Sequence, residues 1–263
     1  MTTRESYAHG EFCWVDLSAL DMKEAAAWYG ELFGWSTQAQ DTGGGPPYTM
    51  LCKGDRVVAG LGQLNDEMKA AGVPPTWNSY INVDDAKGLE AKVKELGGSV
   101  VVPAMQVMDS GWLGYYSDPG GAVFAVWQKL EHGGADLVNA PSSFCWNELA
   151  TADLDEAKAF YGPLFEWELP AMPGEAPVPT AMIQNQGREN GHMLQMNEQW
   201  QGIPPHWQVY FAVENADATS ARVAQTGGKL LVPPTDIPPG RFSVCSDPQG
   251  AVFTVIQLSN PPD

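Results

Sequence analysis

The residues Phe12 to Trp35, FCWVDLSALDMKEAAAWYGELFGW, return as Phe144 to Trp167, FCWNELATADLDEAKAFYGPLFEW. Cys13/Cys145, Trp14/Trp146, Asp21/Asp153, Tyr29/Tyr161, Phe33/Phe165 and Trp35/Trp167 all match at a constant offset of 132. A period of this length is that of a domain rather than of a solenoid repeat, so the chain reads as a tandem duplication of one globular unit. Whatever fold one half adopts, the other must adopt too. The expected division is an N-terminal domain over 1–132, a Gly, Ala and polar-rich linker over 133–142, and a C-terminal domain over 143–263.

Among 263 residues, 44% are hydrophobic and 17% charged, enough to bury a core in each half. Asp and Glu outnumber Lys and Arg by 32 to 14, for a formal charge of -18. Such an acidic surface repels phosphate backbones and anionic bilayers, which argues against nucleic acid or a membrane as partner. The first residues lack a basic segment followed by an apolar one, and no apolar run reaches the ~18 residues of a membrane span. A cytoplasmic location is therefore expected. The four cysteines form no CxxC pair and sit in apolar, strand-like runs, as buried reduced thiols do.

Along the chain, residues 11–17 alternate as a strand with Phe12, Trp14 and Asp16 on one face and Cys13, Val15 and Leu17 on the other. Asp21 then caps a helix whose apolar positions Ala25, Trp28, Tyr29, Leu32 and Phe33 recur at helical spacing until Gly34 ends it. That aromatic stripe reads as core. The triplet Gly43-Gly44-Gly45 lacks the following GK[ST] of a phosphate loop and reads as a rim, as does the proline-rich 169–179. Strands are predicted near 48–53 and 57–64. A second unit opens at Trp77, with a helix from Asp84-Asp85 to Leu96 and strands at 99–103, 113–117 and 122–128. Each half thus reads as two βαβββ-like modules.

Four such modules, the D-x-x-x-A-x-x-[FW]-Y-x-x-[LP]-[FL]-x-W helix and the closing D-P-x-G-A strand together resemble the vicinal oxygen chelate superfamily. Its members include glyoxalases, extradiol dioxygenases and bleomycin resistance proteins. The resemblance runs from about Gly10 to Gln257 and is closest to tandem glyoxalase-like proteins of actinobacteria, a mycobacterial culture-filtrate antigen among them. It implies an α+β fold in which each domain's two βαβββ modules form an open, cup-shaped barrel.

The resemblance also implies metal slots: a His on the first strand, a His on the second module's first strand and a Glu on the closing strand. They fall on Trp14, Asn78 and Ala125 in one half and on Trp146, Gln208 and Thr254 in the other. None keeps a His or Glu, so no cofactor is expected. Alternation does place Glu148 beside Trp146, and His206 beside Gln208 and Tyr210, so a divalent metal could be held only by a displaced set of Glu148, His206 and Gln208. His192 reads as a hydrogen-bonded or surface residue, and His9 and His132 as terminal or linker residues without a role.

If the slots face a cup as in the superfamily, the C-terminal cup presents Phe144, Trp146, Glu148, His206, Gln208, Tyr210 and Thr254. The N-terminal cup presents Phe12, Trp14, Asp16, Asn78, Tyr80 and Trp127. Aromatics with a few polar groups suit a planar or apolar organic molecule. Glu148 and His206 are the candidate acid/base pair, which makes the second half the active one. The expected function is binding, with transformation left open, of a small aromatic or apolar molecule such as a secondary metabolite or reactive carbonyl. The alternatives are a metal-dependent lyase, isomerase or dioxygenase with displaced ligands and an antibiotic-sequestering resistance protein. The chain is expected as a monomer or homodimer.

Overall fold

The structure is a computed structural model, and it describes residues 2–172 and 177–260. Part of the proline-rich rim predicted over 169–179 lies outside the described residues. Each half is a single curved sheet with its helices on one face. The N-terminal sheet has eight strands, with Phe12–Ala19 and Thr76–Asn82 paired antiparallel at its centre. Module one runs Phe12–Ala19, helix Met22–Phe33, then Ser36–Ala39, Tyr48–Lys53 and Arg56–Gln63. Module two runs Thr76–Asn82, helix Ala86–Glu95, then Ser99–Val107, Gly111–Ser117 and Val123–Lys129. In each, the last strand returns parallel to the first.

The C-terminal sheet repeats this with seven strands around the antiparallel pair Ser143–Thr151 and His206–Ala212. The chain thus folds as tandem α+β domains of paired modules, with sheets open rather than closed into barrels. Sequence reading missed the strand Ser36–Ala39 and the short helix Asp66–Ala70 within the polar connection.

The repeated helix is fixed locally as its sequence predicts. The Asp21 carboxylate accepts from the amides of Lys23 and Glu24, and Gly34 closes the helix at φ 74°. Asp153 caps the second copy in the same way. The aromatic stripe is buried against the other half of the chain. Phe33 meets Phe211 and Phe253, and Trp35 meets Phe211; in return Phe165 meets Phe124, and Phe12 lies against Trp167 and Trp207. Polar contacts are exchanged too. The Trp35 indole donates to the Ser142 carbonyl and the Trp167 indole to the Gly10 carbonyl. Tyr29 donates to the Asp247 carboxylate while accepting from Trp77, and Tyr161 accepts from Trp207.

The segment between the halves is bonded along its length. Ala135 donates to the Cys13 carbonyl, Asp136 to the Val57 carbonyl, and Leu137–Val138 pairs with Thr2–Thr3. It fills the gap where Phe12–Ala19 and Arg56–Gln63 diverge before their pairing begins at Asp16 and Gly60.

Because each half supplies core to the other, the halves should not melt separately. Phe33→Ala removes a ring packed on the opposite half and is expected to cost about 3–5 kcal/mol. Calorimetry should still show one transition, at lower temperature; two separated transitions would contradict the shared core.

Candidate functional site

Strict alternation misplaces one residue per half. A β-bulge between Phe12 and Trp14, and again between Phe144 and Trp146, inserts an extra residue opposite the neighbouring strand. It turns Phe12 away from the cup and onto Trp167 and Trp207. Phe144, expected in the C-terminal cup, pairs instead with Phe211, whose ring lies among Phe33, Trp35 and Trp77. Beyond the bulge, Trp14 and Asp16, like Trp146 and Glu148, face the cups.

In the C-terminal cup the first strand is flanked on one side by His206–Ala212, with Trp146 opposite Tyr210 and Glu148 opposite Gln208. On the other side the parallel strand Arg188–Gln195 sets His192 beside Glu148. These registers assemble a hydrogen-bonded chain. The Trp146 Nε1–H donates to His192 Nδ1 at 2.7 Å, and His192 Nε2 lies 2.9 Å from Glu148 Oε2. Tyr210 donates to the same Oε2 at 2.5 Å.

An indole can only donate, so His192 Nδ1 must accept and its proton must sit on Nε2, directed at the carboxylate. Burial pushes the Glu148 carboxyl up, but the hydrogen bonds from His192 and Tyr210 outweigh it and hold the group below the usual carboxylate range. Burial and the Glu148 charge push Tyr210 well above the usual phenol value, so it remains a donor.

The expected pairing of Glu148 with His206 does not form. His206 stands opposite Ala150, nearer the rim, with Nδ1 2.9 Å from the Pro204 carbonyl and its ring near Trp200. Glu148 takes its imidazole from His192 instead. The sequence separates the two by a helix and a strand, and only parallel pairing brings them level. Gln208 is buried beside Glu148, with its amide donating to the Val209 carbonyl at 3.5 Å. Thr254 is fully buried in register with Tyr210; its Oγ1 offsets part of that phenol's rise but makes no hydrogen bond of good geometry among the described residues.

The N-terminal cup uses the same plan with different side chains. Asp16 accepts from Asn78 at 2.8 Å on one oxygen, and from Tyr80 at 2.8 Å and Tyr48 at 3.1 Å on the other. The Trp14 indole donates to Tyr48, and the hydroxyls of Tyr80 and Tyr115 lie 2.6 Å apart. Tyr48 occupies the space above Gly60, where a Cβ would collide with its hydroxyl. At the positions answering Gly60 and Tyr48, the second half carries His192 and Thr180. A phenol from one strand thus takes the place that an imidazole from its neighbour takes in the other cup.

His132, expected to be without a role, packs edge-on against Trp14 and lies near Trp127, whose indole donates to the His132 carbonyl. Burial pushes this imidazole below its usual value. Burial likewise pushes the Asp16 carboxyl up, against its three hydrogen bonds. Trp14 is 3% exposed, whereas Trp146 is half-buried. The first-slot indole is thus the more covered in the N-terminal cup, where Asn78 is half-buried, and the more exposed in the C-terminal cup, where Gln208 is buried.

Neither cup suits a divalent cation. The indoles at the first slot have no lone pair to give, and both nitrogens of His192 are engaged. Of the displaced set, Glu148 is bonded to His192 and Tyr210, His206 Nδ1 lies against the Pro204 carbonyl, and the Gln208 amide is turned to the Val209 carbonyl. Among the described residues no group of three His, Cys, Asp or Glu side chains could hold a metal ion.

Two cups built from paired βαβββ modules define a tandem glyoxalase-like protein. A family model described as the Glyoxalase/Bleomycin resistance protein/Dioxygenase superfamily matches residues 12–126 and 144–255, and the chain belongs to that superfamily. It is 39% identical over 259 residues to the "Putative glyoxylase CFP32" of Mycobacterium tuberculosis, covering 98% of each chain. It is 33% identical over 271 residues to the anthracycline biosynthesis protein DnrV of Streptomyces peucetius, covering 96% of this chain and 94% of that one.

Among solved structures, the Mn(II)-bound glyoxalase from Novosphingobium aromaticivorans superposes with a TM-score of 0.62 at 15% identity, covering 97% of this chain and 86% of that one. The 2,3-dioxygenase LapB from Pseudomonas sp. KL28 gives 0.63 at 13%, covering 97% and 96%. These two likenesses show the fold. Among the described residues no helix is long and apolar enough to cross a membrane.

The carboxylates of the two cups, Asp16 and Glu148, carry opposite pH signatures. Glu148 is held below its ordinary 4.5, so its stabilisation is present above the unfolded value and is lost as pH falls through the folded one. Asp16 is raised above its ordinary 3.8, so its contribution is present below the unfolded value and is lost as pH rises through the folded one. In urea unfolding between roughly pH 3 and 7, the stability advantage of wild type over Glu148→Gln should shrink on acidification. Its stability relative to Asp16→Asn should rise over the same range. Slopes of the same sign would contradict these assignments.

Proposed function

We propose that this protein binds a small aromatic or apolar organic molecule, of the secondary-metabolite or reactive-carbonyl class, in its C-terminal cup. The observation that carries the reading is the chain from Trp146 through His192 to Glu148 and Tyr210 on the cup face of the C-terminal sheet. Trp146 offers a half-buried aromatic face. Glu148 Oε2 is taken by His192 and Tyr210, and Oε1 is the oxygen left to meet a ligand donor.

The same chain argues for orientation rather than proton abstraction. A general base working near neutrality needs a pKa near that pH, and Glu148 is held low. His192 donates through one nitrogen and accepts through the other, so it has no free lone pair to take a proton. The reading is therefore binding and positioning, as in sequestration or presentation of a metabolite, with the N-terminal cup as a closed copy. Relatives named as anthracycline biosynthesis proteins are compatible with a polycyclic aromatic ligand. The extents 1–132 and 143–263 serve as the two domains of this reading, acting as a monomer or homodimer.

An anthracycline aglycone is a suitable probe because its visible fluorescence reports its surroundings. Titration should give saturable binding at one site per chain. Glu148→Gln and His192→Ala should each weaken it by about tenfold or more, with the melting transition still cooperative. Unchanged affinity in both variants would defeat the reading.

A further inference from the structure

The two cups differ most informatively on their closing strands. In the N-terminal cup Tyr80 stands beside Ala125, and Ala125 beside Tyr115. In the C-terminal cup Tyr210 stands beside Thr254, and Thr254 beside Val244. These cross-strand neighbours share the cup face, so the comparison is position by position: Tyr80 answers Tyr210, Ala125 answers Thr254 and Tyr115 answers Val244. One half fills this part of its cup with a phenol of its own. The other presents a half-buried valine at that position and a hydroxyl where the first has alanine.

The proton arrangement around Tyr115 can be read from its neighbours. Tyr80 gives its proton to Asp16, so the 2.6 Å contact between the two phenols is a donation from Tyr115 to the Tyr80 oxygen. Tyr210 likewise gives its proton to Glu148, which leaves its oxygen able to accept. Thr254 Oγ1 lies in the adjoining position, fully buried, near enough to the Tyr210 hydroxyl to lower that phenol but without a hydrogen bond of good geometry among the described residues. A hydroxyl reaching this point would donate to Tyr210 and accept from Thr254, satisfying both. A ketone or ether oxygen could only accept, and a phenolate would meet the Glu148 carboxylate unfavourably.

We propose that the C-terminal cup takes a neutral phenolic ring over Val244, in the place that the Tyr115 side chain holds in the N-terminal cup, with its hydroxyl between Tyr210 and Thr254. The inference rests on the reading of that cup as a binding site and names the chemical class it selects. The N-terminal cup is then a self-liganded copy, and Tyr115 is the internal model of the ligand's phenol end.

The test uses the whole chain and two probes that differ by one methyl group, 2-naphthol and 2-methoxynaphthalene, followed by calorimetric titration. The expected result is one 2-naphthol per chain, with the methyl ether about tenfold weaker because it cannot donate. Thr254→Val should weaken 2-naphthol by a similar factor and narrow the gap between the probes. Val244→Tyr should abolish 2-naphthol binding while keeping the near-ultraviolet dichroism of a folded chain. If that variant does not fold, Val244→Leu should fold and weaken binding.

Equal affinity for the two probes, with Val244→Tyr blocking both, would overturn the phenol assignment and leave the cup as a general aromatic site. Binding of the anthracycline aglycone without either naphthalene would also overturn the inference alone. Failure of every aromatic probe to bind would remove the underlying reading together with it.

Discussion

The structure depends on an exchange of aromatic side chains between its two halves. Each repeated helix ends in a cluster of Tyr, Phe and Trp, and each cluster is completed by a phenylalanine from the closing strand of the opposite half, Phe253 for Tyr29 and Phe124 for Tyr161. Aromatic side chains bury roughly 150–250 Å² each, so this exchange is among the largest apolar contributions available to the fold. It also fixes the central strands. With one face of Phe12–Ala19 and Ser143–Thr151 committed to the shared core, the other face is held rigidly and is free to carry function. Conservation of pattern in the helices and divergence in the cups follow from this division of labour.

The cups show how a duplicated site can diverge while keeping its wiring. Both contain an indole donor, a central carboxylate and a tyrosine that donates to it. Between indole and carboxylate stands a phenol from Tyr48 in one cup and an imidazole from His192 in the other. The two solutions lie on neighbouring strands, because Gly60 leaves space for Tyr48 while His192 itself fills the matching space beside Thr180. Bulky side chains at Tyr48, Tyr115 and Trp127, with His132 laid against Trp14 and Trp127, close the first cup. The second has the smaller Thr180, Val244 and Ile256 at the matching positions.

The duplication, the capped helices, the module order and the cup-facing Trp, Asp and Glu positions were legible because each is a local or periodic signal. Asp21 and Gly34 mark the helix ends by their own chemistry, and constant offset marks the repeat. Phe12 and Phe144 were misplaced because a bulge adds one residue without a compositional mark, and one residue reverses every face beyond it. His192 was undervalued, and His206 overvalued, because the partner of Glu148 is decided by register between parallel strands far apart in sequence. His132 was read as linker because nothing local shows that the segment after the closing strand folds back over the cup. That the aromatic stripe would be core was legible; that the core belongs to the other half was not.

The central claim is that the C-terminal cup receives a ligand while the N-terminal cup is occupied by the protein's own side chains. The indole N–H groups of Trp14 and Trp146 sit at equivalent points of the two cups, bonded to Tyr48 and His192 respectively, and their nitrogen-proton resonances report each cup separately. On addition of 2-naphthol to the intact protein, the account predicts a saturable shift of the Trp146 resonance with Trp14 unmoved. A shift of Trp14 with Trp146 unmoved would contradict it.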